Sequence, residues 1–291
     1  MKTQPSWINK NLFPFESKWM NIDRLDLHYI DEGSGDVILF VHGTPEWSFG
    51  FRDLVKGLSV NYRCIAIDHL GFGLSDKTEK ASYTVESHTA RLSKFIRNLD
   101  LSDITIVAND FGGGIALGYA VAHPGNVKSI ILFNTWCWSL RDDPHFSKPA
   151  SVINSWFGRF LYRKLNLAVN YMMPASYGDK KKLTREIHDH YKKPVPDSAS
   201  RTGLYSIALE LMGASKFWES IWNTMSFLEN KPFMVFWGLK DEFIPANFLE
   251  KWKQRLPKAT IVTYNDAGHF VQEEKPAEMV VEIRRFLKSY H

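Results

Sequence analysis

Ile104-Thr105-Ile106-Val107-Ala108-Asn109-Asp110-Phe111-Gly112-Gly113-Gly114 decides how this chain is read. A β-branched run ends abruptly in a carboxylate, and three glycines follow. Beyond them Ile115, Leu117, Tyr119 and Val121 sit among alanines in a run that stops at Pro124. The pattern predicts a buried strand, a sharp turn and a helix, with Asp110 at the tip of the turn. Ala108, Asn109, Asp110, Phe111 and Gly112 have the form of a nucleophile elbow: small, any, nucleophile, any, small. The flanking residues must be small because strand and helix pass close together there. A carboxylate at this point has a second reading, as a cap on the first amides of the helix. The rest of the chain weighs between them.

Working outward, residues 17–31 predict two strands around a turn at Asn21 to Arg24, and Gly33-Ser34-Gly35 is a further turn. That turn leads into a strand and not a helix, so it is no dinucleotide fingerprint. Asp36 to Val41 predicts a buried strand ending in His42-Gly43-Thr44-Pro45, with a helical segment from Trp47 to Leu58. Tyr62 to Ile67 is the next strand and ends in Asp68-His69-Leu70-Gly71-Phe72-Gly73-Leu74-Ser75. Val85, His88, Leu92, Phe95, Ile96 and Leu99 recur at three and four, which predicts an amphipathic helix over 84–99. Val127 to Phe133 is a strand after the elbow helix. Alternating strands and helices imply a mostly parallel sheet flanked by helices.

The pattern changes at Asn134, and no strand is expected from Thr135 to Trp222. Ile153, Trp156, Phe157, Phe160 and Leu161 form one helical stripe; Leu204, Ala208, Leu211 and Met212 form another, with Pro194-Val195-Pro196 breaking the segment between them. Residues 135–222 therefore predict a helical cap inserted after the sixth strand, on a core of residues 1–134 and 223–291. The basic cluster Lys180, Lys181, Lys182, Arg185, Lys192 and Lys193 reads as the solvated face of that cap. His188 and His190 are two apart and point to different sides of a helix, which does not suit a metal. Alternation then resumes: a strand from Pro232 to Trp237 ends in Gly238-Leu239-Lys240-Asp241, and a helix covers Phe248 to Leu256. A last strand from Thr260 to Tyr264 leads to Asn265-Asp266-Ala267-Gly268-His269-Phe270, and a helix from Pro276 to Lys288 closes the chain.

The size, 291 residues, suits one α/β domain carrying an insertion. Hydrophobic residues at 44% and charged residues at 23% give a globular composition. A net charge of only +4 gives no reason to expect nucleic acid or a membrane as partner. Ten tryptophans are more than a core of this size needs and suit a pocket for an apolar ligand. The two cysteines, Cys64 and Cys137, suggest no disulfide framework, and residues 1–17 lack the apolar stretch of a signal peptide. A cytoplasmic protein is expected.

Asp110, Asp241 and His269 each follow a strand. In a parallel sheet such loops share the carboxyl edge, where ligands bind. His42-Gly43-x-Pro45, Asp68-x-x-Gly71-x-Gly73-x-Ser75, the elbow with Asp, Trp237-Gly238-x-Lys240-Asp241 and Ala267-Gly268-His269-Phe270 carry a resemblance to the haloalkane dehalogenase and epoxide hydrolase group of α/β hydrolases. Leu12-Phe13-Pro14-Phe15-Glu16-Ser17, Tyr29-x-Asp31-Glu32-Gly33, Trp47-Ser48-Phe49 and Asn134-Thr135-Trp136 look more like the haloalkane dehalogenases, in the branch with an Asp-His-Asp triad. The resemblance spans about residues 12–290, most loosely in the cap. It implies an α/β-hydrolase fold and the order nucleophile, acid, histidine.

The chemistry implied starts from a carboxylate that is already ionised at neutral pH. Asp110 displaces a leaving group from a saturated carbon and forms an ester. His269, oriented by Asp241, then activates water against that ester. The backbone amides of Thr44 and Phe111 are the expected oxyanion hole. The partners are a small apolar substrate and water; neither metal nor organic cofactor is required. The departure lies in the leaving-group site. The resemblance calls for a Trp after the nucleophile and an Asn after His-Gly, or a Trp from the cap. This chain has Phe111 and Thr44. Either Trp136, Trp138, Trp156, Trp218 or Trp222 supplies the donor, or the leaving oxygen is that of an epoxide, activated by Tyr162 and Tyr205. A third alternative is a binder of small hydrophobic ligands on the same scaffold.

Overall fold

The computed structural model describes residues 2–290. In chain order its strands and first helices are β1 (Lys18–Ile22), β2 (Leu25–Glu32), β3 (Val37–Val41), α1 (Arg52–Leu58), β4 (Arg63–Ile67), α2 (Val85–Asn98), β5 (Ile104–Asn109), α3 (Asp110–Ala122) and β6 (Val127–Phe133). The helices α4 (Pro144–Ile153), α5 (Trp156–Leu165), α6 (Met173–Ser176), α7 (Arg185–Lys192), α8 (Thr202–Gly213) and α9 (Ser215–Thr224) follow without an intervening strand. The chain ends with β7 (Phe233–Gly238), α10 (Ala246–Arg255), β8 (Thr260–Tyr264), α11 (Val271–Glu274) and α12 (Pro276–Lys288).

The eight strands form one sheet in the order β1-β2-β4-β3-β5-β6-β7-β8. β1 and β2 make a hairpin through Asp23 and Arg24, whose φ values of 55° and 66° match a primed two-residue turn and the twist of the strands it joins. β2 is antiparallel to β4, and every later pairing is parallel. The inner strands are apolar on both faces because helices flank the sheet; every residue of β5 and β7 is buried. α2 packs on α3, and α1 on α12.

The register brings the strand ends level. Val41 pairs with Ala108, Ala108 with Leu132, and Phe133 with Phe236. The loops after β3, β5, β6 and β7 therefore leave the sheet side by side. Asp68, after β4, anchors its loop: its carboxylate accepts from His28 and from the Ser48 and Leu74 amides, all at 2.8 Å.

One expectation is corrected in the helical segment. The stripe from Ile153 to Leu161 does not lie on a single helix, because Ile153 ends α4 and Trp156 begins α5. The chain breaks at Asn154-Ser155, where Ser155 caps α5 by accepting from the Gly158 amide at 3.1 Å. α5 buries Gly158 and Tyr162, and its Trp156, Phe157 and Phe160 face outward. The second stripe lies on α8, with Leu204 and Ala208 buried and Leu211 and Met212 half-buried. Among the described residues no helix is long and apolar enough to cross a membrane, and no cluster of His, Cys, Asp or Glu suits a metal ion.

Candidate active site

Asp110 opens α3 with φ at 50°, a left-handed backbone that a non-glycine residue adopts only when its surroundings enforce it. Three contacts do so. The Asp110 amide donates to Asn134 O at 3.2 Å, its carbonyl accepts from Thr135 Oγ1 at 2.6 Å, and its Oδ1 accepts from the Thr44 amide at 2.7 Å. Close backbone approach explains the neighbouring glycines. A Cβ on Gly112 would sit 2.2 Å from Val41 O, and one on Gly43 would sit 2.4 Å from Asp110 itself. The carboxylate does not cap its own helix. Among the described residues it takes no hydrogen bond from α3 amides, the Phe111 amide included.

His269 stands between the two carboxylates. Its Nδ1 donates to Asp241 Oδ2 at 2.7 Å, and its Nε2 lies 3.6 Å from Asp110 Oδ2. Asp241 is held in turn. Its Oδ1 accepts from the Phe243 and Ile244 amides at 2.8 and 3.0 Å, and its Oδ2 accepts from Asn134 Nδ2 at 2.8 Å. Burial opposes a charge on His269, but the charge and hydrogen bond of Asp241 and the nearby Asp110 carboxylate outweigh it. The imidazole pKa is raised well above its usual value.

Behind the Thr44 loop, His42 is fully buried and neutral. Burial lowers its pKa, Nδ1 donates to Gly43 O at 2.7 Å, and Nε2 accepts from the His69 amide at 2.9 Å. That fixes the tautomer and the turn that carries the Thr44 amide.

A cavity of about 360 Å³ opens above Asp110 and His269, walled by Phe111, Phe146, Ile153, Met172 and Leu211 among others. Of the indoles singled out from the sequence, Trp136 lines it. Its ring lies edge-on to Phe111 at 5.0 Å, and its Nε1 is buried without a partner. Thr44 Oγ1 is likewise buried and unpaired. Tyr162 also lines the cavity, and its hydroxyl reaches only the Met172 sulfur at 3.4 Å, a weak acceptor.

The other candidates sit elsewhere, because tertiary packing claims them. Trp138 and Trp222 pack against each other and Trp252. Trp218 is fully buried and donates to Glu210 O at 3.3 Å. Tyr205 donates to Ile153 O at 3.2 Å, and Trp156 is 80% exposed on α5.

Two residues next to the site are given no role there by the sequence reading. Asn134, with φ at 24°, clasps Gly238 through both backbone groups as well as Asp241. Glu46 is 1% exposed; it accepts from Asn109 Nδ2 and from Gln272 Nε2 at 2.6 Å. Burial pushes its carboxyl pKa up to about 8. Glu46 gives no spacing signal, whereas Asn134 lies within a stretch already singled out.

Comparison with known proteins agrees with this fold. A family profile described as alpha/beta hydrolase fold matches residues 36–276. Haloalkane dehalogenase 2 of Mycobacterium tuberculosis is 31% identical over 274 residues, covering 94% of this chain and 95% of that protein. A cis-3-alkyl-4-alkyloxetan-2-one decarboxylase of Shewanella oneidensis is 30% identical over 291 residues, covering 95% and 89%. The crystal structure of a haloalkane dehalogenase from Bradyrhizobium elkani superposes with a TM-score of 0.87 at 20% identity, over 95% of this chain and 98% of that one.

Proposed function

Because the chain belongs to the alpha/beta hydrolase fold family and is a haloalkane dehalogenase-like enzyme within it, we propose that it hydrolyses a carbon–halogen bond through an ester on Asp110. The carrying observation is the asymmetry of the Asp110 carboxylate. Oδ1 is held by the Thr44 amide, and Oδ2 faces His269 across 3.6 Å, next to an apolar cavity. Oδ2 attacks the carbon in line, the carbon–halogen bond breaks, and halide departs with the electron pair. Ester formation removes the charge of Asp110 and with it one of the forces that hold a proton on His269. The imidazolium releases its proton to solvent, and the neutral imidazole takes a proton from water as the water attacks the ester carbonyl. The developing oxyanion on Oδ1 keeps the Thr44 hydrogen bond. Collapse of that intermediate expels the alkoxide oxygen, which takes the proton from His269 and leaves as the alcohol, and the Asp110 carboxyl gives up its own proton to return as carboxylate. Asp241 orients the imidazole and stabilises its charged form.

The unpartnered Trp136 Nε1 and Thr44 Oγ1 are the donors we assign to the departing halide, in place of a donor at Phe111. The division into a core of residues 1–134 and 223–291 and a cap of 135–222 belongs to the same proposal: the core supplies the chemistry and the cap most of the cavity wall.

Tyr162 favours a second reading. Its buried hydroxyl lacks a strong acceptor, and burial, with the Asp110 charge, keeps its phenol protonated. Such a donor suits the leaving oxygen of an epoxide. A substrate panel separates the readings. Halide release from haloalkanes without diol from epoxides supports dehalogenation, and the reverse supports epoxide hydrolysis. Dialkyl oxetan-2-ones form a third arm, prompted by the decarboxylase relative. Turnover confined to that arm would overturn both readings.

A further inference from the structure

The charge of this chain is unevenly placed. From Pro144 to Gly178 there is no Asp or Glu, while Lys148, Arg159, Arg163 and Lys164 carry four positive charges, as much as the formal net charge of +4 of the whole chain. Arg163 pairs with Glu79. Among the described residues the side chains of Lys148, Arg159 and Lys164 have no ion-pair partner.

The same stretch exposes large apolar side chains. Val152 at the end of α4 is 50% exposed, and on α5 Trp156, Phe157 and Phe160 are 80%, 47% and 44% exposed. Single exposed apolar residues are ordinary, but a contiguous aromatic patch marks a contact surface. Helical spacing sorts these residues. Trp156, Phe160 and Lys164 are four apart in one row, and Phe157 and the exposed Leu165 lie in the next. Aromatic rows flanked by long cationic side chains fit a helix lying in a lipid interface: the rings sit among acyl chains, and Lys and Arg reach out to anionic headgroups. A protein partner of the same apolar shape has no need of a segment free of acidic residues.

The patch adjoins the cavity. Pro149 and Ile153 of α4 line it, and Lys148 and Val152, each the residue directly before one of them on the same helix, are exposed. We propose that the outer edge of α4 and α5 docks on an anionic lipid surface, so that an apolar substrate dissolved in the bilayer enters the cavity beside α4. Docking is independent of the leaving group; only delivery rests on the cavity being the substrate chamber.

The test is co-sedimentation of the full chain with vesicles of phosphatidylcholine alone and of phosphatidylcholine mixed with phosphatidylglycerol. Three unpaired cations predict binding about 10- to 100-fold stronger to the anionic vesicles, falling steeply with added salt. Trp156→Ser with Phe160→Ser abolishes binding to both. Lys148→Gln with Arg159→Gln and Lys164→Gln leaves weak binding that no longer distinguishes the vesicles. All five residues are exposed and outside the cavity, so unfolding temperature and turnover of a water-soluble substrate stay as in the parent. Equal or absent binding to the two vesicle types overturns the proposal. So does a dimer in sedimentation velocity that Trp156→Ser with Phe160→Ser dissolves while vesicle binding is absent, which assigns the patch to a second copy. Either result leaves the substrate panel, and the reaction it reports, untouched.

Discussion

Glu46 accepts a hydrogen bond from the side-chain amide of Asn109, the residue directly before Asp110. Its other carboxyl oxygen accepts from Gln272, three residues after His269. One side chain thus joins the loop that carries the Thr44 amide to the elbow and to the histidine loop. It does so almost fully buried, and burial raises its pKa from 4.5 to about 8.

That shift makes stability depend on pH. Between pH 4.5 and 8 the folded protein keeps a proton on Glu46 that the unfolded chain has lost. Stability from this group is therefore complete below pH 4.5 and is lost as pH rises towards 8, by about 1.4 kcal/mol per unit. Glu46→Gln keeps the shape and removes the titration. The expected result is a flatter dependence of the urea midpoint on pH, with the variant the more stable protein at pH 8. A parallel fall in both proteins would contradict a protonated Glu46.

His269→Gln separates the two halves of the proposed reaction. Ester formation needs only Asp110, and hydrolysis needs the base. The variant is expected to gain the mass of one alkyl group on Asp110 when mixed with a substrate haloalkane, and to release about one equivalent of halide before stopping. Full turnover would show that His269 is not the base. In the parent protein the hydrolysis step should slow as pH falls, since a protonated imidazole cannot accept the proton of water.

Trp136→Phe tests the leaving-group donor. The ring and its packing on Phe111 are largely kept, and the N–H is lost. A donor aimed at developing charge supports about 10²-fold in rate, so halide release should drop by about that factor with a small change in KM. An unchanged rate would transfer the role to Thr44 or Tyr162, and Tyr162→Phe would then be the informative variant.

Gly112→Ala tests the packing beneath the elbow. Its methyl would lie 2.2 Å from Val41 O, against backbone that cannot turn aside. Overpacking of this kind costs about 1–3 kcal/mol. Activity should fall more than stability, because the displaced strand end carries the turn that presents Thr44. Denaturant midpoints measured beside initial rates distinguish the two effects.

The legible part of this molecule is what lies at strand ends. A strand that ends at or within five residues of Asp110, Asp241 or His269 announces the loop that carries each, and the parallel order brings the loops to one edge. Which indole reaches the cavity is decided by how the helices after β6 pack, and sequence spacing carries no record of that. Trp136 and Trp138 are two residues apart and end in different environments. The outward face of the α5 stripe is unreadable for a related reason. Periodicity shows that an apolar face exists and is silent on whether that face turns to the core or away from it. Glu46 was invisible because its two partners lie 63 and 226 residues away.

Asn134 is the last residue before the helical segment, and it grips Gly238 and Asp241, which the chain reaches only after that segment ends. The two feet of the insertion are stapled together underneath it. Helices between those feet can lengthen, shift or be exchanged while the acid stays in register with the histidine. Under the proposed division into core and cap, substrate range and catalytic geometry can therefore drift at different rates, and exchanging the helices between Asn134 and β7 is the natural route to altering one without the other.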